Sequence, residues 1–330
     1  MLFKIGVLVL KASNGSNRDH MRDEFSIPIT EEEKIHHMLH LYVDGGLSRR
    51  QMWSRLTKMV GGSAAAMAVL ETHGLAQINT AVCPAGIKVA ENDPAITWED
   101  VTYQGESGPL FGMLARPANQ VGLLPAIIVI HENRGLVDHI RDVTRRAAKA
   151  GYIALGIDLL SRQGGTKMFA DDTARGAAYG RTTIGERYND ISLSIEYLQR
   201  VRNVVWDRIG AVGFCAGGGN IVHAVLNGIN LQAAVPFYGG LPALPLPPAT
   251  MTNTPMMAIY SDTDRAQAAR IGELANHMVN ARVTFGVQLY KDTGHGFHND
   301  TGAVYNPAAA CDAWAKTLDF FNTHLKGPRT

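Results

Sequence analysis

Cys215 is the residue of this sequence best suited to form a covalent intermediate. It stands in the segment Gly-Phe-Cys-Ala-Gly-Gly at residues 213–218, between an apolar run and a stretch of helical character. A nucleophile on a sharp strand-to-helix turn needs small residues two positions before and after it, and Gly213 and Gly217 fill both positions. The amide dipoles of that helix favour a thiolate, and the amide of Ala216 can stabilise an oxyanion. The alternative is a structural cysteine beside a tight turn.

A thiol nucleophile requires a nearby imidazole that takes its proton and returns it to the leaving group. Among twelve histidines, His295 stands between two glycines shortly after the predicted strand 284–290. Those glycines let the backbone turn and bring the ring over the thiol. His298 is the local rival, whereas His223 and His277 are explained more simply as helix-surface or core residues. We therefore predict that His295 is the base.

The acid that orients the imidazole is expected after the strand that precedes the histidine strand. The predicted strand 256–260 is followed by Ser-Asp-Thr-Asp at residues 261–264. Asp264 is the predicted acid, because three loop residues give its carboxylate room to reach the imidazole, and Asp262 is the alternative. Either aspartate could instead cap the helix predicted near residue 266. The chain order nucleophile, acid, base is that of the α/β-hydrolase fold.

Strands and helices must alternate to position these residues, and the apolar pattern has that alternation from Trp98 onward. It predicts a mostly parallel sheet covered by helices. Strands are predicted at 101–103, 110–114, 126–130, 152–157, 209–213, 233–237, 256–260 and 284–290, the first two antiparallel, and helices at 138–149, 183–200, 218–226, 266–278 and 308–323. We predict an α/β-hydrolase domain over residues 95–330, with a mostly parallel central sheet flanked by helices, after a helical N-terminal extension over residues 1–94.

The N-terminal extension combines a predicted helix with a possible export signal. Residues 30–41 have the pattern of a capped amphipathic helix. The Ser-Arg-Arg at residues 48–50 and the weakly apolar run 59–70 resemble a twin-arginine signal, which predicts a periplasmic protein that begins near Gln77. The alternative is a helical extension retained on a cytoplasmic enzyme.

The composition indicates a globular protein that acts on a small molecule. Of 330 residues, 46% are hydrophobic and 18% are charged, and 31 basic against 30 acidic side chains give a net charge of +1. That balance lacks the basic face that nucleic-acid binding requires. Three cysteines, none in a Cys-x-x-Cys pair, argue against a disulfide framework or a zinc site and leave at least one free thiol. We expect no cofactor, no metal, no nucleic-acid partner and no stable membrane insertion.

With these residues in place, the chain resembles the dienelactone hydrolase family from about residue 98 to residue 325. Members of that family use a Cys–Asp–His triad on an α/β-hydrolase sheet. The motifs that carry the resemblance are His-Glu-Asn-Arg-Gly-Leu at 131–136, the cysteine segment at 213–218, Phe-Tyr-Gly at 237–239, Gly-His-Gly-Phe at 294–297 and the closing helix within 305–321. The N-terminal extension is similar to that of a longer bacterial subgroup.

The resemblance also implies roles around the thiol. Glu132 corresponds to a glutamate that contacts the thiol and helps to form the thiolate, and a carboxylate there is chemically able to accept the proton. The alternative is a loop carboxylate that pairs with Arg134. The amide of Asn133 would complete the oxyanion hole with that of Ala216.

Substrate contacts follow from the same resemblance. Arg175 and Tyr179 match an Arg-x-x-x-Tyr pair that holds an anionic substrate, since the planar guanidinium can grip a carboxylate with two bonds. The alternative is a solvated helix face. Tyr238 is the third implied substrate-binding residue. The family archetype has an arginine four residues after the catalytic histidine, where this chain has Asn299, so the same dienelactone need not be the substrate.

The predicted function is hydrolysis of a small ester or enol-lactone, of the carboxymethylenebutenolidase type, through a thioester on Cys215. One alternative is a general short-chain carboxylesterase or thioesterase without dienelactone activity. Another is a catalytically silent hydrolase fold that serves as a binding module. A glutaminase of the Cys–His type is disfavoured, because the acid follows a separate strand instead of standing two residues after the histidine.

Overall fold

The structure is a computed structural model that describes residues 30–31, 34–36, 38–39, 49–62, 65–66, 68–69 and 88–327. The chain divides into two compact units, Met1–Ala81 and Val82–Thr330.

The N-terminal unit contains the helix α1, Arg49–Met59. The described residues within the predicted helix 30–41 are helical at 31, 34–36 and 38–39. Met38 and Leu39 are buried in a small apolar cluster with Met52 and Leu56 of α1, so these helices bury one face each. The predicted start of the mature chain at Gln77 lies outside the described residues, and export remains a prediction.

The second unit is built on a sheet of eight strands. The spatial order is β1-β2-β4-β3-β5-β6-β7-β8. The strands are β1 Ile96–Gln104, β2 Pro109–Pro117, β3 Leu124–Ile130, β4 Ile153–Asp158, β5 Val204–Phe214, β6 Ala233–Phe237, β7 Met256–Ser261 and β8 Phe285–Tyr290. β2 is antiparallel to β1 and β4, whereas β3 to β8 are mutually parallel. The α/β-hydrolase prediction is confirmed.

Helices cover both faces of this sheet. They are α2 Asp138–Lys149, α3 Asp172–Gly180, α4 Ile184–Arg200, α5 Ala216–Leu226, α6 Arg265–Ala268, α7 Ile271–Ala281 and α8 Pro307–Phe321, the last continuing into a π-helical turn, Asn322–Lys326. Successive residues of β3 point to opposite faces: Ile128 and Ile130 pack in the core under α4 and α5, whereas Ile127 and Val129 pack in the core under α2 and α8. Burial on both faces explains why β3 is continuously apolar.

Two helical segments differ from the sequence prediction. α3 was not predicted, because its sequence Asp-Thr-Ala-Arg-Gly-Ala-Ala-Tyr-Gly has two glycines and too few large apolar residues for a helical period. The helix predicted at 266–278 is instead two helices, α6 and α7, which separate at residues 269–270. α4 agrees with the predicted helix 183–200 and begins with a capping box, in which Thr183 and Glu186 bond each other's backbone amides.

Candidate active site

The parallel strands bring the predicted site residues to one edge of the sheet. The carboxyl ends of β3, β5, β6, β7 and β8 are followed by Glu132, Cys215, Tyr238, Asp264 and His295 respectively. Ligands of open α/β sheets bind at this edge, since the loops there converge from several strands.

Cys215 occupies a strained turn between β5 and α5. Its φ of 53° and ψ of −114° are in a region that side chains other than glycine rarely adopt, and its amide donates to the carbonyl of Phe237 at 3.1 Å. A Cβ on Gly213 would lie 2.6 Å from the carbonyl oxygen of Gly217, and a Cβ on Gly217 would lie 2.5 Å from that of His131. The two glycines are therefore required by close backbone packing on both sides of the thiol.

His295 contacts both Asp264 and Cys215. Its Nδ1 lies 2.5 Å from Oδ2 of Asp264. The hydrogen bond with Cys215 is the largest influence on the ring, burial opposes it, and the bond to Asp264 adds to it, so the pKa of His295 rises to about 9. The structure therefore brings together the three residues that the sequence predicts as nucleophile, base and acid.

Hydroxyl groups hold the acid loop against the histidine loop. The hydroxyls of Ser261 and Thr263 both donate to the carbonyl of Thr293, at 2.9 and 2.5 Å, and the Ser261 hydroxyl also accepts from the amide of Asp264. These contacts present Asp264, and not Asp262, to the imidazole. The hydroxyl pair was not predicted from the sequence, because nothing in either loop alone indicates that the two loops meet.

The rival histidine His298 is fully buried and stacked on Phe214, with ring centroids 4.9 Å apart. Burial, followed by the nearby charges of Arg146 and His139, lowers its pKa well below the usual value. Neither of its ring nitrogens has a hydrogen-bond partner among the described residues. His298 is therefore a neutral core residue.

Glu132 is held by Asn299, the residue that stands where the family archetype has an arginine. The amide group of Asn299 donates to Oε2 of Glu132 at 3.1 Å, while its carbonyl oxygen accepts from the amide and the hydroxyl of Thr301. Arg134, the alternative partner of Glu132, instead pairs with Asp172 at 3.0 Å. A neutral amide therefore orients the glutamate.

Both terminal nitrogens of Arg175 are engaged within the protein. Its two terminal nitrogens donate to Asp172 at 2.9 Å and to the carbonyl of Phe169 at 3.2 Å. Its Nε is buried and has no partner among the described residues. Each terminal nitrogen therefore keeps one N–H group that these two contacts do not use.

Tyr179, one turn further along α3, belongs to a polar chain that reaches the site. Its hydroxyl accepts from the side-chain amide of Asn220 at 2.9 Å, whose oxygen accepts from Arg187 at 3.1 Å. The Arg187 guanidinium also lies 4.7 Å above the Tyr179 ring. Burial raises the pKa of Tyr179, and the nearby Cys215 adds to the rise. The hydroxyl therefore keeps its proton at neutral pH.

Tyr238 packs against the imidazole of His295 with the two rings tilted. It is fully buried, its ring centroid is 5.0 Å from that of His295, and its φ is 39°. Burial, and then the charges of Glu132 and Cys215, hold its pKa well above the usual value. Tyr238 therefore stays a neutral phenol near the reacting groups.

The two described cysteines have different states: Cys215 is free and Cys311 is disulfide-bonded. In the described part of the chain, no three histidine, cysteine, aspartate or glutamate side chains are grouped closely enough to hold a metal ion. Within the same part, no helix has the length and apolar character needed to cross a membrane.

The comparison with protein families is decisive. The model of the dienelactone hydrolase family matches residues 110–325, more than half of the chain. The chain belongs to this family. The predicted resemblance is confirmed, and the protein is a dienelactone hydrolase-like enzyme that acts on esters or lactones.

Individual relatives agree with this membership. A protein of Synechocystis sp. that bears the name carboxymethylenebutenolidase is 33% identical over 249 residues, which cover 68% of this chain and 96% of that protein. A Bradyrhizobium sp. protein named as a 2-oxo-3-(5-oxofuran-2-ylidene)propanoate lactonase is 31% identical over 248 residues, with 72% and 97% covered. A dienelactone hydrolase structure from Klebsiella pneumoniae superposes with a TM-score of 0.62 at 26% identity, covering 69% of this chain and 98% of that one.

Proposed function

We propose that the protein hydrolyses a small ester or enol-lactone through a thioester on Cys215. The observation that carries the proposal is the contact of His295 with both Cys215 and Asp264. A histidine pKa of about 9 keeps the ring protonated at neutral pH, next to a sulfur that can carry the negative charge. A thiolate–imidazolium pair of this kind is an activated nucleophile with its general acid already charged.

The reaction then proceeds in two steps. The Cys215 thiolate attacks the carbonyl carbon, and the oxyanion is stabilised by the backbone amides of Asn133 and Ala216. The tetrahedral intermediate collapses to a thioester as His295 gives its proton to the leaving alkoxide or enolate. His295, now neutral and oriented by Asp264, takes a proton from water, whose oxygen attacks the thioester. Collapse releases the acid product and the thiolate, and the imidazolium is restored.

We assign Glu132 to the control of the thiol proton. Its carboxylate is close enough to the site for its charge to act on Tyr238 together with that of Cys215, and Asn299 fixes its orientation. A carboxylate there accepts a thiol proton when the sulfur is not yet ionised. Its charge also disfavours anionic groups placed directly beside it.

The chemistry of sulfur sets the class of bond that is cleaved. A thiolate leaves a tetrahedral intermediate readily, so an amine leaving group rarely competes with it. Activated esters, enol-lactones and thioesters are therefore the proposed substrates. Tyr179 is proposed to line the substrate site, and Arg175 to contact an anionic substrate through an N–H group of its terminal nitrogens. Tyr238 is fully buried, so we propose that it supports the His295 ring and does not touch the substrate. We also propose that residues 95–330 carry the whole activity and that residues 1–94 are an extension.

A general carboxylesterase is the second candidate, and two observations favour it. Both terminal nitrogens of Arg175 are engaged by Asp172 and by a backbone carbonyl, and Asn299 brings no positive charge. Hydrolysis of a dienelactone, a short p-nitrophenyl ester and a thioester by the same preparation distinguishes the two candidates, because only the dienelactone carries a carboxylate.

The thioester mechanism is tested on Cys215 itself. Cys215→Ala should abolish hydrolysis, and Cys215→Ser should lose most of it, since a hydroxyl holds its proton far more tightly than a thiol. Rapid acid quenching of wild-type enzyme with substrate should trap an acyl adduct on Cys215, visible by intact mass and peptide mapping. Substantial turnover by Cys215→Ala would exclude the covalent mechanism. Iodoacetamide should abolish activity, whereas a silent binding module has none to lose.

A further inference from the structure

His131 is a buried histidine that the proposed mechanism does not use. It follows β3 directly, precedes Glu132 and is 0% exposed. Its Nε2 accepts a hydrogen bond from the amide of Leu159 at 2.9 Å. Its Nδ1 is in hydrogen-bond contact with the carbonyl oxygen of Glu132. The ring thus connects the end of β4 to the loop that carries Glu132 and Asn133.

The two contacts fix the position of the ring proton. A backbone amide can only donate, so Nε2 must be unprotonated to accept from Leu159. A neutral imidazole then carries its proton on Nδ1, which donates it to the carbonyl of Glu132. Burial favours the neutral ring and lowers the pKa of His131, although the charges of Asp158 and Glu132 oppose this. The carboxylate of Asp158 is itself occupied by the amides of Leu160 and Thr166.

The carbonyl that His131 holds belongs to the same peptide unit as the amide of Asn133. A trans peptide is planar, and its C=O and N–H point in opposite directions. Fixing the Glu132 oxygen against the ring therefore fixes the direction of the Asn133 N–H. The neighbouring backbone leaves little freedom, since the carbonyl of His131 lies where a Cβ on Gly217 would be 2.5 Å away. The loop is thus packed directly against the turn that carries the nucleophile.

We propose that His131 is a positioning residue for the oxyanion hole: its Nδ1–H holds the Glu132–Asn133 peptide so that the Asn133 amide is aligned with the developing oxyanion. The proposal rests on the thioester mechanism proposed above. It assigns His131 an effect on the tetrahedral intermediate and none on the ionisation of Cys215.

Two amide substitutions separate the contacts of the ring. The amide nitrogen of Asn lies near the position of Nδ1, so His131→Asn can keep the donor to Glu132 and loses the acceptor for Leu159. The amide of Gln reaches the position of Nε2, so His131→Gln can keep the acceptor and loses the donor. Loss of one oxyanion-hole donor costs about 100- to 1000-fold in kcat. His131→Gln frees the Glu132–Asn133 peptide to rotate but leaves the Asn133 amide in the chain, so we expect a smaller loss, about 10- to 100-fold in kcat, with KM changed less than threefold. We expect nearly full activity for His131→Asn.

The rate at which iodoacetamide alkylates Cys215 is the control. This rate would fall in the variants if His131 only maintained the structure of the site. Alkylation needs the thiolate, His295 and the Glu132 carboxylate, which Asn299 holds from the other side of the site, but it forms no oxyanion. Its rate should therefore be the same in the wild type and both variants. Equal kcat losses for Asn and Gln, or a loss matched by slower alkylation, would overturn the proposal. If alkylated wild-type enzyme still hydrolyses esters, the thioester mechanism fails, and this result is distinct from either outcome for His131.

The wild-type protein provides a test that does not depend on any variant. In a sample labelled with ¹⁵N, a scalar coupling across the hydrogen bond should connect the Leu159 amide with His131 Nε2, which identifies the ring and requires Nε2 to be unprotonated. The proton should be found on Nδ1. A proton on Nε2 would refute the proposed hydrogen bonding and the assigned role.

Discussion

Replacement of Asp264 by asparagine is the most direct test of how the imidazole is activated. Asp264→Asn keeps the size of the side chain and removes the negative charge that lies 2.5 Å from Nδ1 of His295. Hydrogen bonds to charged groups contribute about 1.5–3 kcal/mol. Because 41% of the His295 side chain is exposed, solvent screening limits the effect to the lower end, about 1.5–2 kcal/mol. We therefore expect a loss of about 10- to 30-fold in kcat/KM at 25 °C.

The assay is the hydrolysis of a neutral p-nitrophenyl ester from pH 5 to 10, with an NMR titration of His295 in parallel. The pKa of the ring should fall from its wild-type value of about 9 by about one pH unit, since one unit corresponds to 1.36 kcal/mol. Asp262→Asn is the matched control, because Asp262 stands two residues earlier and is not the carboxylate that bonds the ring. If the Asp264 variant keeps its kcat/KM within threefold and its histidine pKa, or if the Asp262 variant shows the larger loss, the assigned acid is wrong.

Three further results are expected. The pKa of His295 is raised from 6.5 to about 9 on folding, so its contribution to the free energy of unfolding is complete below about pH 6.5 and is lost as the pH rises through 9. The free energies of unfolding that urea titrations give for the wild type and for Asp264→Asn should therefore converge above pH 9. Arg175→Ala should reduce kcat/KM for anionic lactones about 10- to 150-fold and spare neutral esters, with the exposed Arg181→Ala as control; equal effects on both substrates would make Arg175 structural. Replacing Arg49 and Arg50 by lysine should leave the protein in the cytoplasm of its native host if the extension is an export signal, and an intact N-terminus on wild-type protein from that cytoplasm would contradict export.

Features that depend on local pattern were predictable from the sequence. The apolar run of β3, the glycines around Cys215 and the capping box of Thr183 each specify an element with few alternatives. The chain order of Cys215, Asp264 and His295 followed from the strands that precede them. Each of these features is set by neighbours in the sequence or by the fixed direction of parallel strands.

Contacts between distant segments were not predictable. Glu132 and Asn299 are 167 positions apart, and neither residue indicates the other. The same holds for Asn220, which lies on α5 and bonds Tyr179 on α3. Arg175 is a different case, since its partner Asp172 is three residues away on the same helix. A helix over that segment was only the alternative interpretation of Arg175 and Tyr179, because two glycines weaken its helical pattern.

The backbone conformation at Cys215 has a consequence for engineering. A side chain in such a region costs about 1–3 kcal/mol, and glycine there avoids the clash at an entropic cost of about 0.5–1 kcal/mol. Cys215→Gly should therefore leave an inactive protein that unfolds at a higher denaturant concentration than Cys215→Ala. Selection for thermal stability alone would favour replacement of Cys215, so directed evolution of this enzyme for stability must also measure turnover at every round.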